Sequence, residues 1–277
     1  MPANLRPHML RLTLACALAA CLAACAGDKD KDELPPDEVV ESLYNKAADT
    51  LDKGEYTEAA KQFAEVERQH PYSQWATKAQ VMEAFSYYQN TDYDEAVTAL
   101  NQFIDLHPGN ADAAYAYYLR ALCNYERIAD VERDQGFAHD ALKGMQEVIS
   151  RFPDSSYAKD AVLKVGLIKD HMAGHEMSVG RWYLSQKLYI SAIGRFREVV
   201  EKYQTTSHVP EALERLVESY LALGITKEAK ATAAVLGYNF PGSEWYGHAY
   251  DLLVQNNLTP EAPDDESWIG HIWHQVF

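Results

Sequence analysis

The side chains best placed to do chemistry are His171 and His175, in the run His171-Met172-Ala173-Gly174-His175-Glu176. On a helix, residues four apart share a face, so both imidazoles could ligate one Zn²⁺. Zinc hydrolases of the His-Glu-x-x-His type need a glutamate directly after the first histidine as general base. Met172 stands there instead, and spacing names no third ligand. The pair is expected to be solvated or to cap a helix end. The chain also lacks a Gly-x-Ser-x-Gly elbow, a Walker phosphate loop and a dinucleotide-binding glycine fingerprint. Acid pairs such as Asp264-Asp265 fall in linker sequence, where solvated charge is the ordinary reading. No catalytic residue, metal or cofactor is assigned, and a non-enzymatic role is expected.

The cysteines carry a different chemistry. Arg6 and Arg11 precede an Ala- and Leu-rich run over 12–22, which ends in Leu22-Ala23-Ala24-Cys25. This is the layout of an export signal. The apolar run is far short of the roughly 18–20 residues that a spanning helix needs. The last four residues resemble the lipobox of bacterial lipoproteins, which implies cleavage before Cys25 and acylation of its thiol. Leu18-Ala19-Ala20-Cys21 repeats the tetrapeptide, so Cys21 is the alternative. Cys25 is preferred because it leaves a longer apolar run and a polar start, Ala26-Gly27-Asp28-Lys29. No aspartate adjoins Cys25, the place of an inner-membrane retention signal, so outer-membrane sorting is expected. Of the four cysteines only Cys123 then remains, alone, which excludes a disulfide framework and suits a small buried side chain.

Charge narrows the partners. Losing residues 1–24 removes Arg6 and Arg11 and no acid, leaving 23 Lys and Arg against 41 Asp and Glu, a formal net charge of −18. So acidic a chain gains nothing from counterion release on nucleic acid. Anionic lipid surfaces would repel it. The lipid must do the anchoring, and the partners are expected to be proteins.

What positions these residues is a helical repeat. Residues 25–38 form a polar tether with Pro35-Pro36 and no apolar period. Beyond it a pattern recurs: Ala59, Phe63, Val66, Pro71; Ala96, Leu100, Phe103, Pro108; Ala141, Met145, Val148, Pro153; Ala192, Phe196, Val199, Gln204; Ala229, Ala233, Leu236, Pro241. The offsets of four, three and five are constant. Residues four and seven apart stack on one helix face, and proline ends the helix. The pattern predicts an all-α solenoid of about five tetratricopeptide-like helix–turn–helix repeats. A charged, exposed loop is expected around 127–137. Few breakers interrupt 158–184, which predicts a long helix joining repeats three and four. The chain would then divide into N-terminal repeats over 39–157, the joining helix with C-terminal repeats over 158–241, and an extension over 242–277.

That extension reads as a short helix near 245–254 and an amphipathic one over 267–277. In the latter, Trp268, Ile269, Ile272, Trp273, Val276 and Phe277 share a face. About eleven residues are marginal as an isolated helix, so this one must pack, either on its own repeats or on a partner or membrane surface. First helices of such repeats line the concave side of the superhelix. Aligning them on Ala47, Ala84 and Ala121 places Tyr44, Phe85, Tyr88, Tyr115, Tyr118 and Tyr125 there. Tyrosine offers contact area, a polar tip and few rotors, which suits peptide capture.

The lipobox, the Pro-Pro tether and five unequally spaced repeats resemble the BamD (ComL) family, lipoprotein subunits of the outer-membrane β-barrel assembly machinery. The likeness is carried by Leu43-Tyr44-x-x-Ala47, Gly54-x-Tyr56-x-x-Ala59-x-x-x-Phe63, His70-Pro71-Tyr72-Ser73, Phe152-Pro153-Asp154-Ser155-x-Tyr157 and Val179-Gly180-Arg181-Trp182-Tyr183. The resemblance implies a scaffold lipid-anchored in the outer membrane, facing the periplasm. Its partners would be the POTRA domains of the barrel-forming BamA subunit, other Bam lipoproteins and unfolded outer-membrane proteins. N-terminal repeats would receive the clients' targeting signal and C-terminal repeats the POTRA domains, with Arg195 pairing a POTRA acid. Gln204 departs from the pattern where proline is expected, and residues from 245 onward lie outside the likeness. Another periplasmic repeat lipoprotein, an adaptor for a protease or cell-wall enzymes, would share the repeats and the lipobox.

Overall fold

The computed structural model describes residues 39–264 and 267–276; the signal, Cys21, Cys25 and the tether lie outside them. Twelve helices are found among the described residues: α1 Val40–Asp52, α2 Tyr56–Gln69, α3 Gln74–Gln89, α4 Tyr93–Leu106, α5 Ala113–Tyr125, α6 Gly136–Arg151, α7 Ser156–Ser185, α8 Tyr189–Lys202, α9 Val209–Ala222, α10 Thr226–Asn239, α11 Glu244–Gln255 and α12 Trp268–Val276. The chain is an all-α solenoid in which each helix packs on the next. First helices also pack across repeats, α1 on α3, α3 on α5, α5 on α7 and α9 on α11, whereas the second helices splay apart. The closer-packed layer is the inner, concave one.

The sequence markers are the hairpin core. Ala59, Phe63 and Val66, and their counterparts through Ala229, Ala233 and Leu236, are all wholly buried. The ends of the second helices repeat as faithfully. His70, His107, Phe152, Tyr203 and Phe240 close them with φ between −126° and −132°. Each N–H bonds the carbonyl of the third marker residue, and each carbonyl accepts from the N–H three residues on. Proline at the next position suits both the extended residue before it and the second place of the turn. Gln204 makes the same stop without the ring, because its side-chain amide donates to the Glu201 carbonyl.

The first helices α1, α3, α7 and α9 end in Schellman turns, whose C′ residue must be left-handed, whereas α5 runs into turns at Arg127 and Ile128 with no left-handed residue. Gly54 and Gly224 fill it at φ +79° and +74°. Thr91 and Lys187 hold it at 64° and 59°, where a Cβ is strained. Asn257 at φ 55° closes α11 in the same way, with Leu258 N–H bonded to Leu253. Helix α11 is thus built like the first helix of a further repeat.

The joining helix α7 is 30 residues long, roughly 45 Å at 1.5 Å per residue. Its first half packs on α5 and α6, its second half on α8. A Cβ at Gly180 would stand 2.5 Å from the Phe196 ring, so the long helix meets α8 at a point only glycine permits. The loop over 126–135 is charged and exposed at Glu126, Asp130, Glu132, Arg133 and Asp134, as expected, while its remaining residues rest against the rod. Arg127 pairs with Asp94 at 2.7 Å and covers the Phe137 ring, and the Val131 carbonyl accepts from His175 Nδ1–H. The final helix docks on its own chain. Ile269 is wholly buried, Trp268 Nε1–H donates to Glu201 at 2.5 Å, and Arg197 covers the Trp268 ring at 4.3 Å. The side chains of Trp273 and Val276, and all of Phe277, lie outside the described residues.

Candidate functional site

Among the described residues no helix is long and apolar enough to cross a membrane. Nor does any group of three or more His, Cys, Asp and Glu side chains converge as for a metal. His171 and His175 serve separately. His175 is tied to the Val131 carbonyl in one cleft, and His171 lines another, its Nε2 buried without a partner and its pKa lowered by burial. Burial pushes the Cys123 thiol up to about 12, which makes it inert packing.

The inner face of the N-terminal repeats is aromatic. At its far end Tyr44 meets the Phe63 ring at 5.4 Å and Trp75 at 4.8 Å. Burial raises its hydroxyl pKa, and the charge of Asp112 adds to that. Phe85 stacks on Tyr88 at 6.4 Å and Tyr88 meets Tyr93 at 5.9 Å. Tyr115 and Tyr118 both lie 5.4 Å from the Tyr157 ring. The Tyr118 hydroxyl donates to Asp160, and the Tyr88 hydroxyl reaches Glu126 at 3.4 Å. Lys164 holds its ammonium 4.9 Å from the Tyr125 ring and 3.5 Å from Asp160. All six residues read from the sequence are half-buried. Phe85, Tyr88, Tyr115, Tyr118 and Tyr125 pack on the core cluster that runs from α3 to α12, and Tyr44, again with Phe85, on the cluster of α1 to α3.

Sequence alignment on small residues missed Trp75, Tyr93, Tyr157, Glu126 and Asp160. A signal for two of them existed. Pro71-Tyr72-Ser73-Gln74-Trp75, Pro153-Asp154-Ser155-Ser156-Tyr157 and Pro241-Gly242-Ser243-Glu244-Trp245 repeat Pro-x-Ser-x-aromatic. In each the serine side chain caps the next first helix. The aromatic residue two positions later is thereby set on the inner layer.

Beside these rings α7 exposes an apolar ridge: Val162 is 55%, Leu163 68% and Leu167 60% accessible. Leu167 and Tyr125 line a cleft of about 340 Å³ together with Glu126, Ile128, Ile168 and His171. Burial raises the Tyr88 hydroxyl to about 12 and drives Tyr115 and Tyr118 up as well. The tyrosines are therefore neutral donors at physiological pH. Such a surface can stack, bury and hydrogen-bond an extended chain, and it holds no activated nucleophile.

The inner layer changes character in the C-terminal half. Arg181 pairs with Glu211 at 3.1 Å, Arg215 with Glu218 at 2.9 Å, and Arg215 covers Trp245. Glu214 is buried among them, and burial pushes its carboxyl up to about 7. Arg195 lies on α8, bonded to Glu176 at 3.0 Å and 40% accessible. Glu176 lines a polar cleft of about 470 Å³ with Arg133, His139, His175, Glu198 and Tyr203.

Comparison with known proteins agrees with this architecture. A family model described as an outer membrane lipoprotein (YfiO) matches residues 36–236. The outer membrane protein assembly factor BamD of Caulobacter vibrioides is 49% identical, covering 90% of this chain and 82% of its own. The BamD of Rickettsia prowazekii is 46% identical over 84% of this chain and 92% of its own. That of Neisseria meningitidis is 34% identical over 96% of this chain and all of its own. A match so long leaves too few residues outside it to omit the extension after Pro241, so the relatives' likeness runs further than the motifs indicated. The chain belongs to the BamD family of outer-membrane protein assembly factors.

Proposed function

We propose that this protein is a lipid-anchored scaffold at the periplasmic face of the outer membrane, tethered through Cys25 and engaged in β-barrel assembly. The concave face of the N-terminal repeats receives the targeting segment of unfolded barrel proteins. The C-terminal repeats, with Arg195 at their surface, hold the POTRA domains of a BamA-type subunit, and other Bam lipoproteins complete the complex. The observation that carries the reading is the open aromatic lining running from Tyr44 through Phe85 and Tyr118 to Tyr125, continued by Leu163 and Leu167. Half-buried rings held by their neighbours are preorganised, so binding costs little further ordering. The C-terminal half is charged on its inner layer and supports a different partner. A guanidinium already held by Glu176 is well placed for a second carboxylate, because one partner leaves part of its donor fork open.

Affinity capture on the lipidated full chain tests this. The expected catch is a barrel protein with POTRA domains, lost or weakened by Arg195→Glu and retained by Tyr118→Ala. Depletion of the protein is expected to lower folded outer-membrane barrels while other lipoproteins stay in place. A protease or cell-wall enzyme as the main catch, with normal barrel levels on depletion, would overturn the reading.

A further inference from the structure

Glu126 is a charged feature of the inner face that peptide stacking does not use. It caps α5, is exposed, and stands among tyrosine hydroxyls: Tyr88 reaches it at 3.4 Å, and its charge raises the hydroxyls of Tyr88, Tyr93 and Tyr118. Among the described residues no Lys or Arg forms an ion pair with it. Arg127, next in sequence, is turned to Asp94 and Phe137, and Lys164 is turned to Asp160 and Tyr125. A carboxylate beside tyrosine hydroxyl oxygens offers several acceptors to an ammonium or guanidinium, whose hydrogen bonds are then charge-assisted. The chain itself supplies a precedent on the same face, where the Lys164 ammonium lies 3.5 Å from Asp160 and 4.9 Å from the Tyr125 ring. The ridge of Leu163 and Leu167 flanks the place on one side, and Leu167 shares its cleft with Glu126.

Resting on the peptide-groove reading above, we propose that Glu126 with Tyr88 and Tyr118 is a cation subsite, which selects client segments carrying Lys or Arg beside an aromatic or large aliphatic residue. The basic side chain lies against Glu126 and the rings, and its apolar neighbour lies on Leu163 and Leu167. The two halves of the site explain each other: the ridge buries apolar area without sequence preference, and the carboxylate supplies the preference. A segment with Asp or Glu at that position would meet Glu126 and Asp160 and be rejected.

The test uses the full mature chain and three fluorescein-labelled peptides of alternating threonine and tyrosine ending in phenylalanine, with Lys, Gln or Glu before that last residue. Anisotropy titrations at low salt should rank Lys over Gln over Glu, with the Lys peptide about fivefold tighter than Gln, the scale of one exposed charge and cation–ring contact. Glu126→Gln should bring the affinities of the Lys and Gln peptides within twofold of each other. Thermal melting confirms that this exposed substitution leaves the fold intact. Equal binding of Lys and Gln peptides by the unaltered chain, or a preference that survives Glu126→Gln, overturns the subsite and leaves the groove standing. If none of the three peptides binds, the groove reading fails and the subsite with it.

Discussion

Gly180→Ala should weaken the protein although it improves helix propensity. In an open helix interior, replacing Gly by Ala gains about 1 kcal/mol. At Gly180 the added methyl would stand 2.5 Å from Phe196 Cε1 and 2.9 Å from Cδ1 and Cζ. Carbon atoms rest about 3.5–4.0 Å apart, so the ring must retreat by roughly 1 Å. It cannot do so freely, because Phe196 is wholly buried at the fourth repeat's core. Overpacking of this kind costs about 1–3 kcal/mol. With the ring caught on a rigid helix the upper end applies, leaving a net loss of about 2 kcal/mol after the propensity gain. Gly166→Ala on the same helix is the control, since nothing lies within 4 Å of its added methyl. It should gain up to about 1 kcal/mol. Urea denaturation then separates the two variants by about 3 kcal/mol, roughly 1 M or more in midpoint. Adding Phe196→Leu should cost less in the Gly180→Ala background than in the parent, because the smaller side chain makes room. Shifts of the same sign at both glycines, or full additivity with Phe196→Leu, would refute the reasoning.

Other perturbations follow from the same geometry. Thr91→Gly and Lys187→Gly relieve left-handed residues at φ 64° and 59°, and each should gain about 1 kcal/mol in denaturant unfolding. Glu214 has a folded pKa raised by burial to about 7 from 4.5, so its contribution is fully present below pH 4.5 and is lost as pH rises through 7. Glu214→Gln should match the parent near pH 4.5 and exceed it near pH 8, by at most about 3 kcal/mol; a difference independent of pH would count against it. Ile269→Ala empties a buried contact of α12 and should cost about 2 kcal/mol of local docking, read as faster amide exchange over 267–272 and altered Trp268 fluorescence.

Much of the architecture is legible because packing demands fixed spacing. Ala59-Phe63-Val66 and its successors repeat since each hairpin buries the same three positions. The long joining helix shows as a stretch without breakers. Gln204 looked like a departure because sequence displays the missing ring and not the side-chain amide that takes over its task. The docking of α12 was open for a different reason: an amphipathic face states that it must be covered and is silent on what covers it. Tyr157 was hidden by aligning first helices on their small residues, when the repeated serine cap sets the register. Glu126 is one of 41 acids, and only the fold shows that tyrosines from α3, α4 and α5 surround it.

The central claim, that clients bind the inner aromatic face, is tested most directly by site-specific photocrosslinking in cells synthesising barrel proteins. A photoreactive residue in place of exposed Leu163 or Leu167 should yield adducts with the C-terminal segments of unfolded barrels, while one at exposed Lys143 on α6 should not. Adducts at Lys143 equal to those at Leu167, or none at Leu163 and Leu167, would contradict the account.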